Sequence, residues 1–180
     1  MSEPPRGPAA PPQLPSSPPT QAAVTVTIEH RVGFHETDAM GIVHHANYLR
    51  FCENARVIWL ETHDKSYPEW IASGLHFAVT RVDLEYKQPA RFDDRIDVTT
   101  WLEWVRGASL AMAYRIEREG TLLVSGWTEH ASINDAGRVR RIPRQDRDRM
   151  NRHARVAAPR ARKADESSPE SALDADAGSR

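Results

Sequence analysis

A short segment, residues 34–48, holds the side chains best suited to chemistry. Eleven consecutive residues within it carry two carboxylates and three imidazoles, namely His35, Glu36, Asp38, His44 and His45. A helical apolar pattern begins at Ala46, so the segment is predicted to end at a helix N-terminus, where free backbone N–H groups and the helix dipole favour negative charge. A carboxylate facing that terminus could act as base or nucleophile in acyl transfer, while the N–H groups hold a developing oxyanion.

The same residues admit simpler roles, which the sequence leaves open. Asp38 could merely accept hydrogen bonds from loop amides, as aspartate often does in turns. Gly41 could merely supply a positive φ. The histidines could bind a metal, but His44 and His45 are adjacent and no glutamate lies at helical spacing from them, so we expect no metal ion. Cys52 falls on the apolar stripe of the predicted helix, which favours a buried side chain over a nucleophile.

The elements around this segment predict one domain. Apolar residues alternate from Val24 to Val32, as in a half-buried strand, and recur at spacings of three and four over residues 46–63, as in a helix. The helical stripe comprises Tyr48, Phe51, Cys52, Ala55, Ile58 and Trp59. Four more strands are predicted over residues 77–86, 95–105, 108–118 and 121–134. Their short turns indicate an antiparallel sheet of meander type, and one long helix against it gives an α+β fold.

Composition limits the classes of protein to which the chain can belong. It has 180 residues, a net charge of −1 and one cysteine, which excludes a disulfide framework. Eight of its 13 prolines lie in residues 1–20. We therefore expect a disordered tail over residues 1–22, a folded domain over residues 23–151 and a disordered charged tail over residues 152–180. No apolar run approaches the roughly 20 residues that span a bilayer, and no secretory signal is evident, so we expect a cytoplasmic protein without a membrane partner.

Basic residues are concentrated near the C-terminus. Residues 138–163 hold 11 of the 24 basic residues and only two acids, and residues 164–179 then carry five acids and no base. The basic run lacks interleaved aromatic residues, and the acidic end could screen it, so nucleic-acid binding is not expected.

The segment from Thr37 to Leu49, followed by Glu53 and Ala55-Arg56, resembles the signature of hotdog-fold acyl-CoA thioesterases, closest to the 4-hydroxybenzoyl-CoA and Tol–Pal-associated subgroup. The resemblance covers about residues 24–150, including residues 86–94 and 137–143. It implies a five-stranded antiparallel sheet wrapped around one long helix. It also implies a homodimer or homotetramer with active sites at the subunit interface, and hydrolysis of acyl-CoA to free acid and CoA without a cofactor.

The resemblance assigns roles to individual residues. Asp38 matches the catalytic carboxylate, and His45 supplies a backbone N–H to the oxyanion hole and a ring near the thioester. Arginine suits the phosphates of coenzyme A, although a solvated basic face is an equal alternative for the arginines after the last strand. The substrate-binding positions implied in this way are Gly41, Asn47, Tyr48, Arg138, Arg140 and Arg141. Met40 departs from the small residue that is common there, and its side chain could narrow the acyl pocket.

Two other functions are compatible with the same fold. A non-catalytic hotdog module could bind acyl groups or a partner protein, although such a module does not need the Asp38 carboxylate. Hydration of an enoyl thioester is another possibility, but hydratases usually carry an Asp/His pair in a different local pattern. The acyl group itself is not indicated by the sequence, so short, long and aromatic chains are all open.

Overall fold

The computed structural model describes residues 24–155. The predicted tail at residues 1–22 and most of the predicted tail at residues 152–180, from residue 156 on, lie outside the described range. Its strands and helices are β1 (Thr25–Arg31), α1 (His45–His63), α2 (Tyr67–Ala72), β2 (His76–Tyr86), β3 (Arg95–Val105), β4 (Ser109–Arg118), β5 (Thr121–Ile133) and α3 (Arg144–Asn151). A 3₁₀ turn at Phe34–Glu36 follows β1. The five predicted strands and the long helix are confirmed to within one or two residues, whereas α2 and α3 were not predicted.

The strands form one antiparallel sheet in the order β1-β3-β4-β5-β2. The α+β class and the five-stranded antiparallel sheet are therefore confirmed. The meander pattern holds for β3, β4 and β5 only. β2 pairs with β5 rather than with β3, which follows it in the chain, so β1 and β2 become the two edges of the sheet.

The central helix α1 packs its apolar stripe on the sheet. Tyr48, Phe51, Ala55 and Trp59 are buried there, and the Trp59 indole N–H donates to the carbonyl of Val24 (2.8 Å). Two neighbouring positions differ from the prediction. Ile58, assigned to the stripe, is 37% exposed, whereas Arg56 is only 4% exposed. The buried sector of α1 is therefore rotated toward Arg56, and a charged side chain lies in the interior.

The C-terminal helix α3 is held by ion pairs. The buried Asp64 carboxylate accepts hydrogen bonds from Arg149 (2.6 Å) and from the Trp70 indole N–H (3.0 Å). After residue 151, the Arg155 guanidinium pairs with Glu103, and the Arg155 backbone N–H donates to the Leu102 carbonyl (2.9 Å). Within residues 24–155, no helix combines the length and apolar character needed to cross a membrane.

Candidate active site

The segment before α1 is anchored by Glu36. This buried carboxylate accepts hydrogen bonds from the His30 ring (2.8 Å) and from the Gly33 backbone N–H (2.8 Å). Burial raises the pKa of Glu36, but these hydrogen bonds outweigh it and hold the pKa below its usual value. The two carboxylates of the segment thus differ, since Glu36 is committed to anchoring the chain and Asp38 is not.

Asp38 lies at the base of a tight turn. Its backbone N–H donates to the Ile42 carbonyl (2.9 Å), and its carbonyl accepts from the Gly41 N–H (2.9 Å). One carboxylate oxygen accepts from the Met40 N–H (2.8 Å), while the other accepts no hydrogen bond from residues 24–155. Gly41 has φ +70°, which a side chain would strain. Asp38 therefore does bond a loop amide, and it still offers one free oxygen.

The start of α1 supplies the other half of the site. His44 caps the helix, since its Nδ1 accepts from the Ala46 N–H (3.3 Å) and its carbonyl accepts from the Asn47 N–H (2.9 Å). The His45 N–H finds no acceptor among residues 24–155. The exposed His45 ring lies beside that of His44, with centroids 4.2 Å apart. An unpaired N–H at a helix start is suited to hold an oxyanion.

Neighbouring side chains fix this segment to the sheet. The Asn47 side-chain amide donates to the Glu36 carbonyl (2.8 Å). The buried Tyr48 hydroxyl accepts from the Ala90 N–H (2.9 Å), and the Ala90 carbonyl accepts from the Val43 N–H (2.8 Å). Asn47 and Tyr48 thus have partners within the chain that give them positioning roles, and their contact with substrate stays a prediction.

The predicted phosphate-binding arginines lie elsewhere in a single chain. The Arg140 N–H donates to Ser132, at the end of β5 that pairs with the beginning of β2. The segment over residues 34–48 lies at the other end of β2, where the Tyr86 hydroxyl donates to the His45 carbonyl (3.2 Å). The two ends of β2 are roughly 33 Å apart. Arg138, Arg140 and Arg141 are exposed, and one chain does not bring them together with Asp38.

Other residues of the segment take less direct places. Cys52 is buried on α1, as predicted, and burial raises the pKa of its thiol. Met40 is 71% exposed, so in one chain its side chain lies at the surface. In residues 24–155, histidine, cysteine and carboxylate side chains nowhere gather in a group of three that could hold a metal ion. The anchoring roles of Glu36 and Ala90 were not predicted from the sequence. For Glu36 a signal existed, because it follows Gly33 by three residues, the spacing of a capping box.

Comparisons with known proteins match the chain to thioesterases. Residues 32–164 match the family model described as the thioesterase-like superfamily. The acyl-CoA thioester hydrolase YbgC of Escherichia coli is 40% identical over 94 residues, which are 52% of this chain and 70% of that protein. A hypothetical protein of Thermus thermophilus superimposes with a TM-score of 0.68 at 35% identity, covering 72% of this chain and 98% of that one. A probable thioesterase of Bartonella henselae superimposes with a TM-score of 0.62 at 30% identity, covering 67% and 100%.

Proposed function

Because the chain belongs to the thioesterase-like superfamily, we propose that it hydrolyses acyl-CoA thioesters with Asp38 as the carboxylate that carries the chemistry. One observation supports this assignment above the others. Among residues 24–155, one oxygen of the Asp38 carboxylate accepts no hydrogen bond, and its turn leads directly to the His45 N–H, which has no acceptor there. A general base or nucleophile and an oxyanion donor are the two groups that thioester cleavage requires.

The reaction uses these groups in two ways that give the same products. The His45 N–H, at the positive end of the helix dipole, holds the thioester carbonyl oxygen as negative charge develops on it. Asp38 either takes a proton from water as the water attacks the carbonyl carbon, or attacks that carbon itself to form a mixed anhydride that water then opens. In both, the C–S bond breaks, the CoA thiolate takes up a proton, and the free acid leaves.

The proposal is tested by thiol release from a panel of acyl-CoAs, from acetyl to palmitoyl and including benzoyl and 4-hydroxybenzoyl. Turnover is expected with at least one substrate, and Asp38→Ala is expected to abolish it. Asp148→Ala is the matched control, because Asp148 is an exposed aspartate on helix α3 that pairs with the exposed Arg144 on the surface. Absence of turnover across the panel would favour the non-catalytic binding module instead.

We further propose that two copies pair through the edge strand β2. An edge strand presents unpaired backbone groups to a second chain. β2 also exposes apolar side chains, with Val79 54%, Val82 42% and Tyr86 48% exposed, whereas the exposed side chains of β1 are polar or charged. Antiparallel pairing about a two-fold axis places the end of one β2 beside the beginning of the other. The arginines after β5 of one copy would then lie beside Asp38 of its partner.

Mixing two inactive variants tests this shared site. In a mixed dimer of Asp38→Ala with Arg140→Ala/Arg141→Ala, one site carries both defects and the other carries none. Activity at low acyl-CoA concentration is therefore expected to return to about half that of the unsubstituted dimer. Activity no greater than the mean of the two parent variants would show that each site draws both sets of residues from one chain. An unchanged Michaelis constant in Arg140→Ala/Arg141→Ala would remove the phosphate role altogether.

A further inference from the structure

A strip of exposed apolar side chains leads away from the candidate active site along β2. Tyr86 contacts His45 at the site, and Val82 and Val79 follow on the same face. Their partners on β5 are Val124, Thr128 and His130. That face is the one covered by α1, because Thr128 hydrogen-bonds to Tyr114, whose ring belongs to the same core cluster as the apolar residues of α1. The strip therefore runs beside α1, and it ends at His130.

Three buried polar side chains lie at that end. Arg56, His130 and Ser132 are at most 4% exposed, yet among residues 24–155 each has one atom that makes no hydrogen bond of good geometry. The atoms are Nη1 of Arg56, Nδ1 of His130 and Oγ of Ser132. His130 and Ser132 project from the same face of β5, and the charge of Arg56 contributes to lowering the pKa of His130, after the larger effect of burial. Buried polar atoms are normally bonded, so three such atoms in one region are suited to bind a polar group of a ligand.

The hydrogen-bond chain that ends at His130 makes this cluster a set of donors. The pKa of His130 is lowered to about 3, so its ring is neutral near pH 7 and carries one proton. In one order, Tyr114 donates to Thr128 (2.9 Å) and Thr128 donates to Nε2 of His130 (2.8 Å). Both hydroxyl protons then have an acceptor, and the proton of the His130 ring lies on Nδ1. The reverse order leaves the buried Tyr114 hydroxyl proton unpaired. Nδ1 and the Arg56 guanidinium are thus both donors, and the Phe77 backbone, the smallest of the three effects on the pKa of His130, offers Nδ1 only a weak acceptor.

Among the residues that the structure describes, Arg56 has no buried counter-ion. Its Nη2 lies 3.5 Å from Glu53, whose side chain is 65% exposed and solvated. Its other neighbour is the ring of Tyr67, 5.5 Å from the guanidinium carbon. A buried positive charge is stable only when it is paired and hydrogen-bonded, so an anionic acceptor would complete this arrangement.

We propose that Arg56, His130 and Ser132 bind a carboxylate at the far end of the acyl chain, so that the preferred substrates are ω-carboxyacyl-CoAs. This inference rests on the proposed thioesterase function and names its substrate class. Arg56 lies eleven residues beyond His45 on α1, which is about 16 Å along the helix. A single aromatic ring does not span that distance, so the acyl group is a medium-length chain seated along the β2 strip.

Binding of non-hydrolysable thioethers of CoA tests the inference without any turnover. Calorimetry would compare an S-(ω-carboxyalkyl)-CoA with the S-alkyl-CoA of equal length. The carboxylated compound is expected to bind about ten- to a hundredfold more tightly, as hydrogen bonds to a charged group suggest. Ser132→Ala and Arg56→Met are expected to reduce that preference about tenfold or more, whereas Ser125→Ala, on the opposite face of β5, is expected to leave it unchanged.

Two outcomes would overturn the inference. One is equal affinity of the two thioethers for the unsubstituted protein, which would mean that buried water or a neighbouring copy occupies the cluster. The other is a preference that persists in Ser132→Ala, which removes only an unpaired hydroxyl and is therefore expected to fold normally. Hydrolysis distinguishes the two proposals. A carboxylate preference in binding without CoA release from the matching thioester would contradict the thioesterase, while hydrolysis without that preference would contradict only the carboxylate site.

Discussion

Removal of one hydroxyl, in Tyr48→Phe, tests how the catalytic segment is held. Tyr48 and Ala90 are both buried, and the tyrosine hydroxyl accepts the Ala90 N–H at 2.9 Å. Phenylalanine keeps the ring and its packing but leaves that N–H without a partner, which costs about 2 kcal/mol of unfolding free energy. For a chain of this size, the expected decrease in melting temperature is roughly 4–8 °C. Because the Ala90 carbonyl holds Val43, kcat is expected to decrease more than KM increases.

The measurement combines thermal unfolding with steady-state kinetics on one substrate. Tyr86→Phe is the control, because its hydroxyl bond to His45 is longer, at 3.2 Å, and half-exposed. Its unfolding free energy is expected to change by less than about 0.5 kcal/mol. An unchanged melting temperature in Tyr48→Phe, together with an increased KM, would refute the positioning role and favour direct contact of the hydroxyl with substrate.

Three further substitutions probe the anchors of the site and of the fold. The pKa of Glu36 in the folded protein is below its ordinary value of 4.5. The ionised Glu36 therefore stabilises the fold fully above pH 4.5, and this stabilisation is lost as the pH decreases through the folded-state pKa. Glu36→Gln is thus expected to make the melting temperature less dependent on pH on the acid side. Gly41→Ala and Gly74→Ala, both at φ near +70°, are each expected to cost about 1 kcal/mol in urea unfolding, but only Gly41→Ala is expected to reduce kcat. Arg149→Met leaves the buried Asp64 carboxylate without its cation and is expected to lower the free energy of unfolding by about 3 kcal/mol, measured in urea. A decrease below about 1 kcal/mol would contradict the stabilising role of this ion pair.

Periodicity explains which parts of the fold could be predicted. The strands and α1 each bury one face, so their apolar residues repeat at spacings of two or of three and four. Helix α3 has no such repeat, because Met150 is its one buried apolar residue and the helix is otherwise attached through Arg149, which pairs with Asp64, 85 residues away in the chain. The burial of Arg56 was not predicted for a related reason, since charge favours exposure and only the surroundings of α1 show that this arginine is buried.

The candidate site also has a part that could be predicted from the sequence and a part that could not. Asp38, Gly41 and the helix start are neighbours in sequence, so their local pattern predicts the turn and the unpaired N–H that follows it. The residues that hold the turn in place were not predicted. Ala90 contributes only backbone groups, and the His30–Glu36 pair forms only after β1 and the 3₁₀ turn meet.

The most direct test of the central claim is the rate of CoA release by Asp38→Asn on the best acyl-CoA of the panel. Asparagine keeps an oxygen that can accept the Met40 N–H, so the turn is retained while the negative charge and the basic oxygen are lost. If Asp38 is the catalytic carboxylate, kcat is expected to decrease at least about a hundredfold, with the melting temperature unchanged. Full activity in Asp38→Asn would mean that the carboxylate only caps its turn, and it would contradict the assignment.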